Sequence, residues 1–197
     1  RDWEIRERTF AALEAVATKT RTKVLIDACL TAPVGRHRRI AAEVLAKTDP
    51  DAAAAKLYKR ATSKVGTQAC AALAIVLPAC TAGKTTTDKL AKLRNGKDPA
   101  QRTAAVRAWV AGTKDRAKTL STIFAGPGVG NQAAALEQLA SAPRTEDRAE
   151  LVSLCSGPQR PDVVERRLLD AILAWATMAE DAKAGIALLD AIEGGGA

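Results

Sequence analysis

Gly83-Lys84-Thr85-Thr86 is the segment of this 197-residue chain that most invites a chemical reading. A lysine between a glycine and a hydroxyl residue is how a phosphate-binding loop ends, with backbone N–H groups and an ammonium around the anion. The pattern G-x-x-x-x-G-K-S/T also requires a glycine at position 78, where this chain has Pro78. No later strand ends in an aspartate that would hold magnesium. Pro78 and Gly83 read instead as one helix closing and another beginning. Gly126-Pro127-Gly128-Val129-Gly130 fails G-x-G-x-x-G in the same way and reads as a linker. His37 is the only histidine. One imidazole cannot build a His-rich zinc site, so it is expected to be a surface residue at a helix start. Paired carboxylates such as Glu146-Asp147 fall in first helical turns, where capping accounts for them. No catalytic residue, cofactor or metal follows from these motifs, and the chain is expected not to be an enzyme.

Charge is the other chemistry present, and it is concentrated. Between Ala52 and Lys97 stand Lys56, Lys59, Arg60, Lys64, Lys84, Lys89, Lys92, Arg94 and Lys97, against Asp88 alone. Those nine cations and one acid equal the whole formal net charge of +8; elsewhere the signs cancel. Lys56, Lys59 and Arg60 are spaced i, i+3, i+4 and share one helix face; Lys89 and Lys92 repeat the spacing. Such a patch attracts phosphates or an acidic protein surface in a salt-dependent way. Tyr58 is the only aromatic residue in the stretch, whereas single-stranded nucleic acid needs several for base stacking. An acidic protein or peptide is therefore the expected partner. Duplex nucleic acid held through its phosphates is the alternative. A smaller cluster, Arg36, Arg38 and Arg39, is partly neutralised, because Glu43 lies four residues beyond Arg39.

The elements that must carry these residues come from a recurring phrase. Phe10, Ile40, Cys70, Ala104, Ala133 and Leu168 head similar Ala-rich segments at spacings of 30, 30, 34, 29 and 35 residues. Periods in this range signal a stacked array. Lys47-Thr48-Asp49-Pro50-Asp51, Thr113-Lys114-Asp115, Thr145-Glu146-Asp147 and Glu180-Asp181 each announce a second helix, with Asp49 as a cap and Pro50 in the first turn. Thr85 with Asp88 gives a shorter start of the same kind. Breaks follow at Thr31-Ala32-Pro33, Ser63-Lys64-Val65-Gly66, Asn95-Gly96-Lys97-Asp98-Pro99, Gly126-Pro127-Gly128 and Gly157-Pro158. The expected units are 1–32, 33–63, 64–96, 97–126, 127–157 and 158–193. In the last, Val164, Leu168, Ile172 and Trp175 form a stripe too wide for one partner helix.

Two-helix units of this length with an Ala-rich first helix resemble HEAT-like repeats of the armadillo/HEAT α-solenoid class, over essentially the whole chain. The resemblance implies an all-α, right-handed α-solenoid of about six two-helix repeats, whose second helices line a concave binding surface. The array is expected to span 1–193 as one domain, with a break near 126–130 and a Gly-rich tail at 194–197. HEAT-like DNA glycosylases for alkylated bases add an enzymatic comparison: they use a basic groove, aromatic residues and an Asp. Trp109 and Asp115 lie near each other here, without a family-specific motif around them.

Composition agrees with helix. Hydrophobic residues make up 47% and aromatic residues 3%, so packing rests on Ala, Leu, Val and Ile. Cys29, Cys70, Cys80 and Cys155 show no CxxC pair, and three of them sit in apolar helical stretches. That usage suits a reducing, cytoplasmic setting. No signal peptide opens the chain, and Arg1 in place of Met is expected of an excised or processed segment. The longest apolar run, 69–80, holds Pro78 and is too short to cross a bilayer. The chain is expected to act as a monomer or as part of a larger polypeptide.

Overall fold

The computed structural model describes residues 8, 19–80, 87–158 and 160–194. Among them the regular structure is all helical, with no strand. The helices are α1 (Lys19–Thr31), α2 (Gly35–Thr48), α3 (Pro50–Arg60), α4 (Gly66–Val76), α5 (Thr87–Leu93), α6 (Pro99–Gly112), α7 (Arg116–Phe124), α8 (Val129–Ser141), α9 (Arg148–Cys155), α10 (Asp162–Met178) and α11 (Ala182–Gly194). Short 3-10 turns follow α4 at Leu77–Ala79 and precede α9 at Thr145–Asp147. All five expected breaks fall between helices, and Pro78 sits in the turn that closes α4. Trp3, Phe10, Gly83, Lys84, Thr85 and the tail from Gly195 lie outside the described residues.

Described residues up to Gly112 form one compact unit and those from Thr113 a second. The glycine-rich stretch 126–130 falls inside the second. In the first, α4 packs most extensively on α6, and α2 lies between α1 and α4. Alanine makes this approach close: Ala41, Ala42, Ala53, Ala69, Ala105, Ala108 and Ala111 are all fully buried. Leucines (Leu25, Leu45, Leu57, Leu73 and Leu90) fill the spaces between. Gly66 opens α4 where a Cβ would collide with the Ala61 carbonyl oxygen, a backbone atom that cannot retreat. In the second unit α8 packs on α10, and α11 covers α9 and α10.

Side chains early in the longer helices reach back to carbonyls at the end of the preceding helix. Arg38 of α2 donates to the Ala32 and Pro33 carbonyls, and Arg102 of α6 donates to Gly96 at 2.9 Å and Lys97 at 3.3 Å. Gln132 of α8 serves Gly126 at 3.0 Å, and Arg160, just before α10, serves Leu154. These groups satisfy carbonyls that a helix C-terminus leaves without partners. In three of the recurring segments, at Arg38, Arg102 and Gln132, a residue thus caps the preceding helix while its neighbours form the apolar face. A second regularity is contact between residues 27 to 31 apart. Thr22 donates to Asp49, Arg144 to the Thr113 carbonyl, Trp175 to the Thr145 carbonyl, and Arg167 pairs with Glu137.

Two expectations change. Asp49 does not cap α3 with its side chain; its carboxylate accepts the Thr22 hydroxyl of α1 at 2.9 Å. His37 does stand at a helix start, yet it is only 4% exposed. The reason is register: His37, Ala41, Val44 and Leu45 lie at i, i+4, i+7 and i+8, which is the buried stripe of α2.

Glu180 carries the only positive φ among the described non-glycine residues, at 53°. It ends α10 in the left-handed region: the Asp181 N–H bonds the Ala176 carbonyl, and the Asp181 carboxylate caps α11 through the Ala184 N–H at 2.9 Å. Glycine is the residue this position favours. Glu180→Gly is therefore expected to stabilise the protein by about 1 kcal/mol. A higher urea midpoint would bear this out; a lower one would show that the Glu180 side chain matters more than its backbone.

Candidate functional site

The exposed cations occupy α3, α5 and the turns after them. Pro50 and Asp51 start α3, which buries Ala53, Ala54 and Leu57. With about 100° per residue, Lys56, Lys59 and Arg60 then face solvent, and all three are exposed. Leu90 anchors α5, leaving Lys89 and Lys92 exposed. The Lys89 ammonium lies 5.2 Å above the Tyr58 ring, so a cation–π contact joins α5 to α3. The helix period places Lys59 beside Tyr58 and places Lys56 and Arg60 farther round α3. Lys64 and Lys97, in the turns, are exposed as well. Among the described residues none of Lys56, Lys59, Arg60, Lys64, Lys92 and Lys97 forms an ion pair.

Two members of the basic stretch stand apart from this group. Arg94 is half-buried with its guanidinium 5.5 Å over the Trp109 ring. Lys84 lies outside the described residues. Tyr58 is half-buried under Lys89, and burial pushes its phenol above the usual 10, against the neighbouring Lys89 N–H. One face of its ring is therefore already occupied. Trp109 is likewise covered by Arg94, and Asp115 caps α7 by accepting the Lys118 N–H at 2.9 Å. In the smaller cluster Arg39 pairs with Glu43 at 2.8 Å, and Arg38 is committed to its carbonyls.

One polar constellation escapes a reading of motifs. Arg116, the first residue of α7, and Asp147, just before α9, meet at 2.7 Å with side chains 3% and 1% exposed. Arg116 also donates to the Ala142 carbonyl at 3.0 Å, and Asp147 accepts the Arg144 backbone N–H at 2.7 Å. Burial pushes the Asp147 carboxyl up from 3.8, opposed by the guanidinium and that N–H. Burial likewise lowers Arg116, opposed by Asp147. Both shifts run against charge, because desolvation outweighs what the pair recovers. The Asp147 Oδ1 atom is buried without a hydrogen bond. The sequence held one usable signal: opposite charges 31 residues apart, at equivalent helix starts.

The cysteines match their expected apolar role. Cys29, Cys70 and Cys155 are buried and Cys80 is half-buried; all are free thiols. Burial pushes Cys29 and Cys70 up to about 12 and Cys80 up to about 11. A thiol reacts as its thiolate. Iodoacetamide at mild alkaline pH is thus expected to spare Cys29 and Cys70 in the folded protein and to label all four after urea denaturation. Peptide mass mapping checks this, and rapid native labelling of Cys70 would contradict it.

Among the described residues no group of His, Cys, Asp and Glu side chains could hold a metal ion. No described helix is long and apolar enough to cross a membrane. The class defined so far is an all-α protein with exposed lysine and arginine side chains on α3 and α5. Comparison with protein-family models, curated proteins and solved structures gave no match.

Proposed function

We propose that the chain is a non-enzymatic interaction scaffold of HEAT-like helix pairs, binding an acidic protein or peptide segment through the basic surface of α3 and α5. The observation that supports this reading is the set of exposed cations without ion pairs on α3, α5 and the turns after them, together with the one contact in which Lys89 covers Tyr58. Charges left unneutralised on neighbouring elements raise the local potential and favour an anionic partner. The repeat reading draws support from contacts at 27 to 31 residues' separation within each compact unit. Stacking of such pairs into one right-handed array over 1–193, with second helices on a concave side, belongs to the same proposal.

The choice of an acidic peptide over nucleic acid draws support from the aromatic residues. Tyr58 and Trp109 are both half-buried and each already carries a cation over its ring, which leaves less ring surface for an unstacked base. Asp115 is committed to a helix cap, which weakens the comparison with base-excision enzymes. Duplex DNA gripped through phosphates is the competing outcome.

Both outcomes are read in one titration. Fluorescence anisotropy with a labelled oligoglutamate peptide and with a labelled duplex would be run from about 50 to about 200 mM salt. The peptide is expected to bind and to weaken as salt rises. Lys56→Glu combined with Lys89→Glu should lower its affinity by at least about tenfold, or ~1.4 kcal/mol. Both positions are exposed, so the circular dichroism spectrum should be unchanged. Binding of duplex alone would reassign the surface to nucleic acid. Unchanged peptide binding by the double variant would refute the site.

A further inference from the structure

The outward face of α10 carries a pattern that points to a second copy of this chain. Val164, Leu168, Ala171, Ile172 and Trp175 take the buried side of the helix. On the exposed side Val163, Arg166, Asp170 and Leu173 follow steps of three, four and three, the a/d stripe of a helix pair. Val163 and Leu173 are 48% and 55% exposed and flank the two charges. These residues line one open depression of about 730 Å³.

The stripe is complementary to its own reversal. In an antiparallel pair of identical helices an a position meets a d position, so residue numbers across the interface sum to a constant. Centred on Leu168, Val163 faces Leu173 of the other copy, and Arg166 faces its Asp170. Each apolar end finds an apolar end, and each charge finds its opposite, twice. Parallel pairing would set Arg166 against Arg166 and Asp170 against Asp170, so the charges choose the antiparallel arrangement. Asp170 already accepts Arg167 at 3.0 Å through Oδ2 and remains 52% exposed, so its carboxylate has room for a second cation. Arg166 is exposed with no ion pair among the described residues.

We infer that α10 forms an isologous antiparallel dimer contact between two copies of the chain. This goes beyond the monomer, or part of a larger polypeptide, expected from sequence. One helix pair buries less than the roughly 800 Å² per partner of a standard interface, so the association is weak and depends on concentration.

Sedimentation velocity of the whole chain from about 1 µM to about 500 µM spans the range for such an affinity. Wild type should pass from monomer to dimer. Arg166→Asp and Asp170→Arg should each remain monomeric, because each places like charges at both crossings. An equimolar mixture of the two variants should dimerise again, since every crossing then pairs Asp with Arg. All substituted positions are exposed, and circular dichroism would confirm folding. Wild type that stays monomeric throughout, either variant that dimerises like wild type, or a mixture that stays monomeric would overturn the inference.

Discussion

Replacing Asp147 with alanine is expected to cost about 3–5 kcal/mol of folding stability, the largest effect of any polar substitution in the described residues. The carboxylate holds Arg116 at 2.7 Å in a site where the two side chains are 3% and 1% exposed. Its removal takes the carboxylate from a guanidinium in low dielectric and an acceptor from the Arg144 N–H. The Arg116→Met variant should behave differently with pH. Without the cation, burial alone acts on Asp147 and raises its folded value further above 3.8. A carboxyl raised by folding keeps its proton where the unfolded chain has lost it. Stability therefore falls as pH rises from the ordinary carboxylate range through the raised folded value. Replacing both partners, Arg116→Met with Asp147→Leu, should recover most of the loss, since both shifts show desolvation outweighing attraction. Urea unfolding of the three variants at two pH values measures all of this. Equal stability of the Asp147→Ala variant and wild type would remove the pair from any structural account.

Leu73→Ala is expected to cost about 3 kcal/mol, within the 2–5 kcal/mol span of buried leucine truncations. Leu73 is fully buried on α4, which packs against α2, α3 and α6. The core it belongs to is rich in alanine, including Ala69, Ala72 and Ala105, whose small side chains cannot lean in to fill a void. The cavity should therefore persist, placing the cost above the minimum for such changes. Leu73→Met keeps the volume and should cost less than about 1.5 kcal/mol. If both variants unfold at the same urea concentration, packing at this position is looser than the burial implies.

Much of the helix layout was legible because it is written in local chemistry. Thr31-Ala32-Pro33, Asn95-Gly96 and Gly157-Pro158 stop helices for reasons held within a few residues, and Asp115 caps α7 as its position suggests. The exposed cations of α3 were legible too, since i, i+3, i+4 spacing fixes a shared face. His37 was not. Its arginine neighbours suggest a surface position, but the stripe it shares with Ala41 and Leu45 decides that it is buried. Arg94 was counted among the binding cations, and only the chain path shows that its guanidinium lies over a ring fifteen positions onward, Trp109. Arg38 and Arg102 were legible as charges, while their role as caps for the preceding helices appeared only with the chain path.

The sequence by itself determined that this chain is helical, where most helices begin and end, and where its excess positive charge lies. Each of these depends on backbone preference, on side chains a turn apart, or on counting. Tertiary structure alone decided which polar groups spend their charge inside the protein and which keep it outside. Arg116 and Lys59 are both cations on helices, yet one is sealed against Asp147 and the other stands in water. That difference arises because burial is set by which helices pack together, and packing joins residues some thirty positions apart.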